Sequence, residues 1–218
     1  MFVESAAHRP IHAPVPSRRL PGQLPRLRMF SAIDRVVRSG ADMPDLRVAE
    51  VLTEFAVVPD LLDQVDCTPS TERYARVLLK DGPTHCVLAL VWSPGQMSPI
   101  HAHRTWCALA VHRGALTETY FEHADGRLQA TRSRLLRACD SSHDSGQTGI
   151  HRVANLGPEV AVSLHVYGTS YDRLGLAVNE VLAPSALPSR GPPTQQPVFG
   201  HLGDAVEREP DASQQKHA

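Results

Sequence analysis

The chain has 218 residues, 42% hydrophobic and 21% charged, which is enough for one domain with a sizeable core. A net charge of −1 with histidine neutral gives no electrostatic case for nucleic acid or an anionic membrane as partner. No apolar run reaches the roughly 18 residues of a spanning helix. Cys67, Cys86, Cys107 and Cys139 show neither paired metal spacing nor a dense disulfide pattern. Without a signal-peptide core near the start, they are expected as reduced thiols in the cytoplasm.

Residues 1–28 hold five prolines and five arginines against one acidic residue, with no hydrophobic period. They are expected to form a disordered extension. An Arg-rich, acid-poor start also fits a transit peptide, but proline at this density opposes an amphipathic helix, and Met29 offers an alternative start. Residues 29–40, MFSAIDRVVRSG, and 44–65, PDLRVAEVLTEFAVVPDLLDQV, carry apolar residues at helical spacing and predict two or three short helices. After Pro69 the period changes. RYARVLLK, THCVLALVWS, WCALAVHRG, LTETYFEH, RLQATRSRLLRA, IHRVANL and VAVSLHVYG are short β-rich runs, separated by turn signals such as KDGP, SPGQ, HRGA and ADGR. Such runs predict an all-β sandwich or small barrel behind a few helices. From Pro184 the chain is Pro-rich again, PSALPSRGPPTQQP, and reads as a second disordered tail. The expected organisation is an extension at 1–28, one folded domain at 29–183 and a tail at 184–218.

His101 and His103 sit one residue apart in PGQMSPIHAHRTWCALAVHRG. On a strand, side chains at i and i+2 point to one side, so both imidazoles project together and can chelate one ion. A bare pair is a weak signal. Its surroundings are more specific: Gly95, five residues, His101, Ala102, His103, three residues, Cys107, six residues, Gly114. This spacing resembles the first motif of the cupin superfamily, with Cys107 where most cupins carry glutamate. His151 and Asn155 in HRVAN resemble the second motif, without its Pro-x-Gly part. The resemblance implies a cupin fold, a small β-barrel or jelly roll, with His151 as third ligand beside His101 and His103. Three neutral imidazoles and no carboxylate suit a first-row divalent metal. Iron(II) is expected, because a hydrolytic zinc site would bring an Asp or Glu base and none lies in these two motifs.

In VAVSLHVYG, Ser163, His165 and Tyr167 share one face, and Val162, Leu164 and Val166 share the other. One reading of the polar row is a solvated face. The other is a hydrogen-bonded relay in which Ser163 holds His165 and His165 aims the Tyr167 hydroxyl at the metal. Together, SPIHAHRTWC, GIHRVAN and SLHVYG resemble the cysteine dioxygenase family, the thiol dioxygenase branch of the cupins, over residues 74–167. The resemblance implies an iron(II) enzyme with three histidine ligands that adds both atoms of dioxygen to a thiolate and gives a sulfinate. It implies a Ser-x-His-x-Tyr relay at Ser163, His165 and Tyr167. In some members a cysteine at the place of Cys107 forms a thioether with that tyrosine. Tyr74 and Arg76 match the Tyr-x-Arg of cysteine-specific members, whose arginine binds the substrate carboxylate. A planar guanidinium suits that role because its fork bonds both oxygens.

The sequence also departs from the family. Ala102 replaces the aspartate usual between the ligand histidines, and the loop from His103 to Cys107 is one residue shorter than in the animal cysteine dioxygenases. The HRTWC form is also similar to the branch acting on 3-mercaptopropionate, whose arginine lies elsewhere; Arg173 is available for that role. The first reading is therefore a cysteine dioxygenase, and its rival is a 3-mercaptopropionate or other mercapto-acid dioxygenase. From a different class, the alternative is a non-catalytic cupin that binds a small molecule. A cupin isomerase is disfavoured, since Cys107 occupies the place of its glutamate ligand. The expected partners are a small thiol and dioxygen, with no nucleic acid and no membrane, for a cytoplasmic monomer serving cysteine catabolism.

Overall fold

A computed structural model describes residues 22–146, 149–174 and 179–183. Two helices lead. Helix α1, Gln23–Arg38, buries Met29 and Ile33, one turn apart on a single face. Helix α2, Pro44–Ala56, starts with proline at its first turn, where no intrahelical N–H is required, and buries Val48, Ala49, Leu52 and Ala56. The second helical stretch thus stops well before residue 65, and Pro59, which has no N–H to donate, lies just beyond the stop. Helix α1 begins ahead of Met29, so part of the stretch expected as extension is helical. The expectations for residues 1–21 and 184–218 lie outside the described residues.

Ten strands follow among the described residues: β1 Ala75–Lys80, β2 Cys86–Trp92, β3 Ile100–His103, β4 Cys107–Arg113, β5 Ala115–Ala124, β6 Arg127–Arg137, β7 Ser141–Asp144, β8 Ile150–Ala154, β9 Ala161–Tyr167 and β10 Asn179–Ala183. They form two five-stranded sheets, β1-β2-β9-β4-β7 and β10-β3-β8-β5-β6. Neighbouring strands pair antiparallel throughout. The fold is the mostly-β, cupin-type double sheet that the sequence predicts. Strands β7 and β10 were not among the runs read from sequence; β7 is the polar tetrapeptide SSHD, which has no apolar alternation to reveal it.

The central strands of the first sheet are buried on both faces. Every residue of β2 and β9 is buried. Cys86, Leu88, Leu90 and Trp92 face the interior between the sheets with Cys107, Leu109 and Tyr167. Val87, Ala108, Ala110, Leu164 and Val166 face the helices and pack with Met29, Ile33, Val48 and Leu52. This double burial explains why CVLALVW is a continuous apolar run rather than an alternating one. The second sheet differs. In β6, LQATRSRLL is largely exposed apart from Leu136.

Two motif positions serve the backbone. Gly114 sits at φ +77 in the turn from β4 to β5, and a Cβ there would come within 2.9 Å of the Ala161 Cα, so only glycine fits. Asn155 donates its amide to the carbonyls of Trp92 (2.9 Å) and Glu159 (2.7 Å), while its own N–H and C=O bond Gln96 and Gly95 at 2.8 Å. It therefore ties the end of β8 to the turn that leads into β3.

Candidate metal centre

Strand β3 projects His101 and His103 to one side, as the i, i+2 spacing requires. Strand β8 lies beside β3 with His151 in register opposite His101. The three rings therefore converge, with centroids 4.6–5.1 Å apart for the two pairs that include His151 and 4.7 Å for His101–His103. One ligating nitrogen of each lies within 4.8 Å of the other two. His103 Nε2 and His151 Nε2 are 3.1 Å apart, the spacing of two ligands on one ion with metal–nitrogen bonds of about 2.0–2.1 Å. All three side chains are buried, at 8%, 2% and 4% exposure.

The outer nitrogens of His101 and His151 are occupied, and that orients these two rings. His101 Nδ1 lies 2.9 Å from the Pro99 carbonyl and His151 Nδ1 lies 2.8 Å from Glu118 Oε1. Both Nδ1 atoms face acceptors only, so they carry the proton and leave each Nε2 lone pair for a ligand. Burial, and then the neighbouring rings of His151 and His103, hold the His101 pKa well below 6.5. At neutral pH that ring is a neutral donor, which suits a divalent cation. The donor set therefore fits a metal.

Glu118 was not found from the sequence, which placed no carboxylate near the centre. It lies on β5, and β5 pairs with β8 so that Tyr120 is opposite His151 and Glu118 opposite Val153. Oε1 also accepts from Ser142 (3.0 Å), and Oε2 accepts from Arg134 Nε (2.9 Å) and Nη2 (2.8 Å). Burial alone would raise the Glu118 carboxyl, but the His151, Arg134 and Ser142 contacts outweigh it and bring it down to about 2. The available signal was a charge in an otherwise half-buried alternating strand, LTETYF, and it falls outside the histidine motifs.

Strand β9 turns Ser163, His165 and Tyr167 to the interior, at 0%, 5% and 8% exposure, so the row is not a solvated face. Ser163 Oγ lies 2.8 Å from His165 Nε2, and Tyr167 Oη lies a longer 3.4 Å from His165 Nδ1. Trp92 begins the chain by donating Nε1–H to Ser163 Oγ at 3.0 Å. Trp92 is a second residue that the motifs did not name. Burial lowers the His165 pKa to about 3, so the ring is neutral at physiological pH. Burial, then the nearby Cys107, raises the Tyr167 phenol well above 10. The Tyr167 ring meets His103 edge-on, with centroids 5.7 Å apart.

Arg76 is opposite Leu90 in the β1–β2 register, and Leu90 faces the interior. Its Nη2 donates to Tyr74 Oη at 2.9 Å, and Tyr74 stacks on Trp92 with centroids 4.3 Å apart. The arginine and the relay are thus linked through two aromatic rings. Arg76 is exposed by area yet lines the cavity, since it stands at the mouth. Cys107 is buried opposite Tyr167 in register, and burial holds its thiol well above 9. One small cavity is lined by Tyr74, Arg76, His101, His103, Cys107, His151, His165 and Tyr167. Ser163 stands behind His165, and Arg173 is exposed in the short helix α3, Tyr171–Arg173, away from this lining.

Fold and site together define a cupin with a buried three-histidine centre. The sequence model described as cysteine dioxygenase type I matches residues 66–176, and the chain belongs to that family. It is 33% identical over 106 residues to "Cysteine dioxygenase type 1" of Danio rerio, covering 45% of this chain and 53% of that protein. The chain thus spans about half the length of this curated relative. Among solved structures, it is similar to an uncharacterized conserved protein with a double-stranded β-helix domain from Klebsiella pneumoniae (21% identity, TM-score 0.36, 48% of this chain and 84% of that one). It is also similar to Bacillus subtilis oxalate decarboxylase (22% identity, TM-score 0.41, 56% of this chain and 31% of that one).

Proposed function

We propose that the protein is an iron(II)-dependent thiol dioxygenase that converts L-cysteine and dioxygen to cysteine sulfinate. One observation carries this reading: an arginine and a tyrosine relay border the same small cavity as three convergent imidazoles. Family membership supports it. Bound by His101, His103 and His151, iron(II) would supply open coordination positions and the redox chemistry that takes a thiolate to a sulfinate.

The chain's own groups do the rest. Arg76, held by Tyr74, takes the substrate carboxylate in its fork and so fixes where the sulfur lies. Trp92 Nε1–H donates to Ser163, Ser163 O–H donates to His165 Nε2, and His165 Nδ1–H donates to Tyr167 Oη. This proton order leaves the Tyr167 O–H free to donate to the reacting atoms. Its raised pKa keeps that proton in place. Leu90, Leu109 and Val153 line the same cavity and keep bulk water from the chemistry. Cys107 is opposite Tyr167 in register, and we assign it as the thiol of any thioether with that ring. The four free cysteines support a reducing, cytoplasmic location. No described helix is long and apolar enough to cross a membrane.

The test is oxygen uptake by anaerobically iron-loaded protein, with L-cysteine and 3-mercaptopropionate run side by side and the sulfinate identified by mass. Faster turnover of cysteine is expected. A preference for 3-mercaptopropionate would keep the centre and overturn the substrate. No uptake with either would favour the small-molecule-binding cupin. Arg76→Ala is expected to raise KM for carboxylate thiols ~10–100-fold and to leave cysteamine, which has no carboxylate, nearly unchanged. Equal losses on both would remove Arg76 from the carboxylate role.

A further inference from the structure

We propose that Glu118 is a positioning residue of the metal centre: through His151 Nδ1 it fixes the ligating nitrogen and strengthens its hold on a divalent cation. This inference rests on the three-histidine centre described above.

The carboxylate is divided between two tasks. Oε1 points inward and takes His151 Nδ1–H at 2.8 Å and the Ser142 hydroxyl at 3.0 Å. Oε2 takes the Arg134 fork, Nε at 2.9 Å and Nη2 at 2.8 Å. Ser142 and Arg134 come from β7 and β6, so three strands set the plane of one carboxylate. Imidazole has two nitrogens that can exchange roles. With an anion on Nδ1, the N–H stays there, and Nε2 keeps its lone pair toward His101 and His103. The same anion pushes electron density through the ring, which makes Nε2 a better donor to a cation.

A purely structural role for Glu118 does not account for its placement. Its side chain is 1% exposed, whereas that of its partner Arg134 is 40% exposed. Water at that surface could serve the guanidinium without a buried charge. Burying a carboxylate is costly unless its partners need the charge. The inward partner here is a predicted ligand, whereas the corresponding Nδ1 of His101 uses the neutral Pro99 carbonyl.

The test compares cation affinity in the full chain. Metal-free wild type, Glu118→Gln and Arg134→Gln are titrated anaerobically with Co(II) and Fe(II) against a chromophoric chelator. Glu118→Gln keeps the shape but removes the charge, and it is expected to bind ~10–100-fold more weakly. Arg134→Gln leaves the carboxylate on His151 and is expected to bind no more weakly than wild type. Wild-type affinity in a folded Glu118→Gln protein would overturn the proposal. Equal losses in both variants would overturn it too, by making the pair a structural clamp. If Glu118→Gln does not fold, ¹⁵N NMR of metal-free wild type decides. The proposal expects His151 protonated at Nδ1 and bare at Nε2, and the reverse tautomer overturns it. If wild type binds neither cation, the metal-centre reading itself falls and takes the proposal with it. The outcomes thus separate failure of the centre from failure of Glu118.

Discussion

The two sheets solve different problems with the same strand geometry. The β1-β2-β9-β4-β7 sheet is covered on one side by α1 and α2 and on the other by the interior. The polar residues of its central strand β9 have no route to water, so Ser163 and His165 pair with Trp92 and Tyr167 inside the protein. The other sheet leaves the outer face of its β5–β6 hairpin exposed. There a buried imidazole connects outward, from His151 to Glu118 to the half-exposed Arg134. The buried strand β9 thus carries a neutral relay, and the β5–β6 hairpin carries the charged support for His151. The lower dielectric under the helices favours neutral partners, and an anion is tolerated where its cation reaches solvent.

The largest effect separates the sheets by stability. Leu164 of β9 is fully buried under the helices, whereas Leu135 of β6 is 48% exposed. Leu164→Ala is expected to cost about 2–5 kcal/mol, through lost transfer energy and the cavity left behind. Leu135→Ala is expected to stay within about 0.5 kcal/mol. Urea unfolding of both variants reads the difference directly. Similar costs would mean that the helices do not seal the first sheet as a second core face.

The same division explains what the sequence disclosed. Double burial writes long apolar runs, so β2, β4 and β9 were legible, and with them the face that carries Ser163, His165 and Tyr167. His101 and His103 were legible because i, i+2 on one strand is local geometry. His151 was reached by its resemblance to a motif, since the β3–β8 pairing that brings it to His101 is a long-range event. Glu118 and Trp92 were missed for the same reason. Each becomes part of the site through a neighbour on another strand, and neither has a local pattern that sets it apart. The expected boundary at Met29 falls inside α1, which starts at Gln23, because a helix start with arginines and prolines nearby looks like linker composition.

A smaller effect tests the relay and leaves the ligands alone. Tyr167→Phe removes one hydroxyl from the interior and keeps the ring that meets His103 edge-on. Iron loading is expected to be unchanged and turnover to fall about 100-fold, the scale of losing one aimed donor. Steady-state oxygen uptake with metal analysis on the same sample separates the two. A variant that loses iron as well would show that the phenol supports the centre itself, so the relay and the ligands would not be separable devices of two sheets.

The smallest effect is a pH dependence that should fall mainly on the helix-covered sheet. His85, His112 and His165 belong to that sheet or to the turn entering it, and burial lowers the pKa of each, to about 3 for His165. His85 Nε2 also lies 3.1 Å from Asp34 Oδ1, a contact without hydrogen-bond geometry, beside a Lys80–Asp34 pair that ties β1 to α1. When the folded pKa lies below the unfolded value of about 6.5, protons bind the unfolded chain more tightly. The stability from keeping these rings neutral is therefore fully present above about pH 6.5 and is lost as pH falls toward their folded values. Metal-free protein is expected to show a urea midpoint that falls between pH 7 and pH 5. His112, whose Nδ1 lies 3.1 Å from the Ala56 carbonyl at the end of α2, offers the cleanest subtraction because it stands away from the cavity. His112→Gln keeps an amide donor for that carbonyl and has no proton to gain, so it is expected to flatten part of the slope with little change at pH 7. An unaltered slope in that variant would assign the acid sensitivity to the interior histidines alone, and a midpoint independent of pH would mean that none of these rings is held neutral by burial.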